Sequence, residues 1–156
     1  MYPIILTKTT EMKAVVVGGG PVGERKVRGL LAAKTAVFLI SPEAVPQLQK
    51  WAEAGEITWE KRQFRSHDLA NATLVFAATN QRTVNAQIAQ EAKARGLLCN
   101  IADAPTEGNF HVPAVHRGDD ELITVSTYGK NPSQARLLRN QIKAWLNNKT
   151  SEVSST

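Results

Sequence analysis

Short runs of apolar, often β-branched residues alternate along this chain with longer stretches whose apolar positions recur every three or four residues. The runs at Ala14–Val17, Val37–Ile40, Ile57–Glu60, Leu74–Ala78 and Leu97–Ile101 predict buried strands. The stretches between them predict helices over Val22–Ala33, Glu43–Ala54 and Thr83–Ala94. In the first helix Gly23, Val27, Leu30 and Leu31 share a face; in the last, Val84, Ile88, Ala89 and Ala92 do. Strands that alternate with helices imply a parallel sheet joined by right-handed crossovers, an α/β fold. Pro3–Leu6 reads as an edge strand or docking segment.

The pattern changes after Asp103. Residues 104–109 read as a loop, Phe110–Val112 as a short strand, Arg117–Asp120 as a turn and Glu121–Thr127 as a second strand. A helix then starts with Asn131 as N-cap and Pro132 at its first position, and Ala135, Leu138, Ile142 and Trp145 form its apolar stripe. A strand pair and one helix cannot enclose a core alone, so this α+β segment is expected to meet a second copy of the chain. The expected division is a nucleotide-binding domain over 1–108, a dimerisation segment over 109–148 and a flexible polar tail over 149–156.

The chemistry is concentrated where the first strand ends. Val15-Val16-Val17 runs into Gly18-Gly19-Gly20-Pro21-Val22-Gly23, a G-x-G-x-x-G sequence between a strand and a helix. In a Rossmann-like sheet the first glycine makes the tight turn. The second lets a pyrophosphate approach the backbone, and the third lets helix and strand pack closely. Pro21 and Val22 open the helix, whose free N–H groups and positive dipole end face the phosphates. Gly18, Gly20, Pro21, Val22 and Gly23 are therefore the expected dinucleotide-binding residues. An acidic residue about 20 positions on usually holds the ribose. Here Ser41 stands at the tip of the second strand with Glu43 just past it, and no arginine accompanies them, which favours NAD.

Ligands of such sheets lie beyond the carboxyl ends of the strands. That rule brings in Thr79 and Asn80 beside the nicotinamide half, unless Asn80 merely caps the following helix. It also brings in Asn100 and Asp103. Asp103 either takes a proton or binds a cation there, or forms an Asx turn leading into Pro105.

Composition narrows the field. The 156 residues carry a net charge of +5, with 42% hydrophobic and 21% charged residues. The excess of positive charge is scattered, with clusters at Arg25-Lys26-Arg28 and Arg136-Arg139-Lys143, which suits a polyanionic small molecule better than nucleic acid. The lone Cys99 excludes an internal disulfide and reads as a buried thiol in a reducing, cytoplasmic setting. His67, His111 and His116 have no metal-motif spacing, so no resident metal is expected. No stretch has membrane-spanning length, and no signal peptide is recognisable.

Taken together, the glycine run, Ala77-Ala78-Thr79-Asn80, Cys99-Asn100-Ile101-Ala102-Asp103-Ala104-Pro105, Asn109-Phe110-His111-Val112-Pro113-Ala114 and Thr127-Tyr128-Gly129-Lys130-Asn131-Pro132-Ser133 with Ala135–Arg139 resemble the precorrin-2 dehydrogenases and the corresponding module of siroheme synthases. The resemblance runs from Pro3 to about Trp145. It implies NAD-dependent oxidation of precorrin-2 to sirohydrochlorin by a homodimer, with loss of a proton. In some relatives it also implies insertion of ferrous iron. The family's important aspartate matches Asp103, and Arg136 and Arg139 are candidates to hold the substrate's carboxylates through bidentate hydrogen bonds. Two departures accompany it. Relatives commonly carry a further helical segment after the position of Trp145, and some have a serine where this chain has Asn131, so regulation through that serine is not expected. The alternative from another class is an NAD-binding redox sensor or scaffold without catalysis.

Overall fold

The computed structural model describes the backbone of residues 1–153 and the side chains of residues 1–146. The chain divides into one unit over Pro3–Phe110 and another from His111 onward that takes in Met1 and Tyr2.

The first unit is built on β1 (Lys13–Gly19), α1 (Pro21–Leu31), β2 (Ala36–Ala44), α2 (Pro46–Glu53), β3 (Thr58–Glu60), β4 (Leu74–Ala77), α3 (Arg82–Ala94) and β5 (Leu98–Ile101). Its five strands are all parallel and lie in the order β3-β2-β1-β4-β5. The strand order reverses between β1 and β4, the switch point at which such sheets bind ligands.

Side-chain alternation makes this a doubly wound sheet. Val15, Val17, Val75, Ala77, Cys99 and Ile101 point to one face and pack on Ile88, Ala89 and Ala92 of α3. Ala14, Val16, Leu39, Leu74 and Phe76 point to the other and pack on Val27 and Leu30 of α1 and Leu48 of α2. With both faces covered, β1 and β4 have no polar side, and both strands consist almost wholly of buried residues.

Local differences from the sequence expectation have physical causes. β2 continues through Ala44, so the helix expected from Glu43 begins at Pro46. Gly19 pairs with Ala44, and the Gly19 carbonyl accepts the Val45 N–H at 2.8 Å, which keeps this stretch extended. Pro3–Leu6 forms no strand, and Ile4 and Ile5 are exposed. The first unit runs to Phe110, two residues past the expected boundary. Asn109 donates to the Leu97 carbonyl and accepts the Cys99 N–H, both at 2.8 Å, and Phe110 meets Phe76 edge-on at 5.5 Å.

The second unit is a hairpin of β6 (Ala114–Arg117) and β7 (Leu122–Val125) with helix α4 (Pro132–Val153). The strand expected at Phe110–Val112 is not formed, because Phe110 is claimed by Phe76 and Pro113 has no N–H to give a ladder; pairing starts at Ala114. Asn131 does cap α4, its Oδ1 accepting the Gln134 N–H at 2.9 Å. No glycine or proline follows Pro132, and α4 continues through Val153, past Lys149 where a polar tail was expected; residues 154–156 lie outside the described residues. Among the described residues no helix is long and apolar enough to cross a membrane.

One consequence is testable at Gly19, the unconstrained position of the glycine motif. A Cβ there would lie 2.1 Å from the Glu43 carbonyl oxygen and 2.8 Å from the Ala44 Cα, with only backbone to move. Gly19→Ala is expected to cost about 2 kcal/mol of stability, read as a lowered urea midpoint with an unchanged slope. An unchanged midpoint would contradict this packing.

Candidate functional site

The β1–α1 turn is shaped by backbone pressed against backbone. Gly18 has φ +113°, and a Cβ on it would sit 2.4 Å from the Ala78 carbonyl oxygen and 2.8 Å from the Thr79 nitrogen. The turn therefore lies directly on the end of β4. A Cβ on Gly23 would fall 2.0 Å from the Gly18 carbonyl oxygen, so α1 can start this close to β1 only with glycine there. Gly20 is different: nothing lies within 4 Å of where its Cβ would be. With Gly19, three glycines of the run are required by the protein's own packing, and Gly20 alone faces open space.

Gly20 is also the N-cap of α1, and among the described residues no side chain hydrogen-bonds to cap that helix. Pro21 has no N–H, which leaves those of Val22 and Gly23 to face outward before the first helical bond, Glu24 N–H to the Gly20 carbonyl, at 2.9 Å. This mouth opens into a cleft of about 910 Å³, large enough for a dinucleotide. Among the described residues lining it, Glu43 is the sole charged side chain. A diphosphate would thus be held by N–H groups and the α1 dipole rather than by a lysine or arginine.

Gly18, Gly20, Pro21, Val22, Ser41, Thr79 and Asn80 all line this one cleft, and Gly23 packs beneath it. Ser41 is buried, and its Oγ accepts the Gly19 N–H at 2.9 Å, so it braces the glycine turn from β2. Thr79 is fixed in the same way. Asn85, wholly buried on α3, donates from Nδ2 to the Thr79 carbonyl at 3.1 Å, and its Oδ1 accepts the Thr79 hydroxyl at 2.7 Å. Asn80 does not cap α3; the N-cap is Gln81. Across the cleft, Gln63 and Phe64 complete the wall, on a loop pinned by the Arg62 guanidinium forking onto Asp68 at 2.7 and 2.9 Å.

Asn100 lies within β5 and Asp103 just past its end, and both are outside the cleft lining. Asn100 is buried, and its Nδ2 donates to the Phe110 carbonyl at 3.0 Å. Asp103 is partly exposed, with both carboxylate oxygens 3.4 Å from Nη1 of Arg82. Arg82 also bonds Glu107 through Nη2. Hydrogen bonding to Glu107 first, then the charges of Glu107 and Asp103, push the guanidinium above its usual value against partial desolvation. Gln81 lines the cleft, and Arg82 is the next residue, so Asp103 is joined to the cleft wall through one side chain.

The two predicted carboxylate binders belong to the second unit. Arg136 is exposed, and among the described residues its one side-chain contact is 3.4 Å to Ser133 Oγ. Arg139 is half-buried; its Nη1 donates to the Val115 carbonyl at 2.9 Å and ties α4 to β6. Cys99 is buried, which pushes its thiol up to about 11 and keeps it neutral. Lys26 of α1 lies half-buried over the Phe76 ring at 5.7 Å, and burial, with the charge of Arg25, brings its amine down to about 8.

Sequence reasoning missed Gly19, Asn85, Arg82 and Glu107. Asn85 left a readable signal, because it is a polar residue next to Val84 on the apolar side of α3. Arg82 and Glu107 left none, since their pairing spans 25 positions and depends on the loop after β5.

Fold and mouth define a dinucleotide-binding domain of the Rossmann type. The chain belongs to the family whose model is described as "Putative NAD(P)-binding", which matches residues 5–114. It is 36% identical over 142 residues to siroheme synthase 2 of Klebsiella pneumoniae, covering 91% of this chain and 31% of that protein. It is 39% identical over 145 residues to a siroheme synthase of Yersinia pestis, covering 93% and 31%. The chain thus spans under a third of the length of these relatives. Among solved structures it matches one titled "SirC, precorrin-2 dehydrogenase" with a TM-score of 0.76 and 27% identity, over 96% of this chain and 71% of that one.

Proposed function

We propose that this chain oxidises precorrin-2 to sirohydrochlorin with NAD in the synthesis of siroheme. The observation that carries the reading is the uncovered N-terminus of α1 in a cleft without cations, joined through Arg82 to a carboxylate just beyond β5. The siroheme synthases and the precorrin-2 dehydrogenase that the chain resembles support the choice of substrate.

Gly18, Gly20, Pro21, Val22 and Gly23 shape the diphosphate seat, and Ser41 keeps the turn in place. Glu43 disfavours an extra phosphate at the ribose end, which selects NAD over its phosphorylated form. Thr79 and Asn80 border the nicotinamide half, with Asn100 holding the Phe110 segment next to it. Bound NAD supplies the two-electron acceptor. Asp103 takes the proton that the tetrapyrrole loses as its conjugation extends. The substrate is a polycarboxylate, and Arg136, whose guanidinium is nearly unengaged, binds one of its carboxylates; Arg139 keeps α4 on β6.

The protein works as a cytoplasmic homodimer. On α4, Leu137 and Trp145 are 57% and 56% exposed in the single chain, apolar surface that a second copy covers. Ferrous iron insertion would also draw on Asp103, but both its oxygens already face a guanidinium, whose charge opposes a second cation there.

The test is anaerobic. Precorrin-2 and NAD are supplied, and NADH absorbance is followed together with sirohydrochlorin. NAD-dependent turnover is expected, with kcat in Asp103→Asn lowered by about a hundredfold. Binding of NAD without turnover would instead indicate a sensor and overturn the reading. Sedimentation velocity of the same sample is expected to give a dimer, and a monomer at micromolar concentration would remove the second copy.

A further inference from the structure

Asp103 sits on a loop, and a carboxylate about a third exposed has no intrinsic reason to hold one orientation. The structure nevertheless gives it a fixed neighbour. Arg82 stands on the first turn of α3, directly after the residues that wall the cleft, and its Nη1 lies equally far, 3.4 Å, from both oxygens of Asp103. Its other terminal nitrogen is bonded to Glu107. A planar guanidinium bonded at two corners has little freedom to rotate.

The main chain that carries Glu107 is held in place by β5. It ends a short 3₁₀ turn, Pro105–Glu107, that opens with proline. Gly108 follows, and a Cβ on it would lie 2.6 Å from the Cys99 carbonyl oxygen, so the turn presses directly onto β5. Asn109 then holds the start of β5 through Leu97 and Cys99. A continuous chain of contacts thus runs from β5 through Glu107 and Arg82 to Asp103.

We propose that Arg82 is the positioning residue for the Asp103 carboxylate, with Glu107 as its anchor. This rests on Asp103 accepting the proton in the dehydrogenation described above. An exposed ion pair adds little to stability, so its worth lies in orienting the carboxylate toward the substrate.

Steady-state kinetics with precorrin-2 and NAD test this in Arg82→Gln, Arg82→Lys, Glu107→Gln and Asp103→Asn, each checked for a native circular dichroism spectrum. Arg82→Gln is expected to lower kcat about tenfold with both KM values unchanged. Arg82→Lys should recover part of the loss, and Glu107→Gln should show a smaller version of it. Added to Asp103→Asn, Arg82→Gln should cost nothing further, because its effect passes through that carboxylate. A wild-type kcat in Arg82→Gln while Asp103→Asn is impaired overturns the role of Arg82 alone. So does an additive loss in the double variant. No turnover by the wild-type protein, or full activity in Asp103→Asn, overturns the dehydrogenase mechanism and this role with it.

Discussion

The close approach of Gly23 to the Gly18 carbonyl is the contact on which the rest of the site depends. Helix α1 can seat its N-terminus at the sheet's switch point because no side chain intervenes between it and the turn that ends β1. The same turn lies on Ala78 and Thr79 of the neighbouring strand's end, again backbone on backbone. Two consecutive elements, β1 and α1, are thereby brought into van der Waals contact with the distant end of β4, and among the described residues the N–H groups of Val22 and Gly23 are left with no hydrogen-bond partner. Orphan helix donors beside a cleft without cationic side chains are the physical basis of an anion site.

Around this contact the protein uses polar side chains as braces. Ser41 holds the turn from β2, Asn85 holds the β4–α3 segment, and Asn100 and Asn109 hold the stretch after β5. Each is bonded to backbone, so the walls of the cleft are set by the sheet rather than by loop entropy. Arg82 extends the same logic to a side chain, linking a carboxylate to the rigid start of α3.

Much of this was legible in the sequence. Alternation of strand and helix periods announced the doubly wound sheet, and the glycine spacing announced its mouth. Asn131 before Pro132 marked the start of α4. What was hidden depended on tertiary proximity. Gly19 is constrained only because β2 runs on to Ala44, which the apolar pattern of β2 does not reveal. Phe110–Val112 looked like a strand, but Phe110 is drawn to Phe76 and the ladder waits for the residue after Pro113. Ser41 has the position of a ribose ligand in sequence, and in space it first serves the turn.

The most direct measurement is a titration of the ¹⁵N-labelled protein with NAD, followed by amide resonances. The account predicts that the largest shifts fall on Gly20, Val22, Gly23 and Thr79–Gln81, the amides around the bare helix mouth. Shifts spread evenly over the chain, or confined to residues far from that mouth, would contradict it.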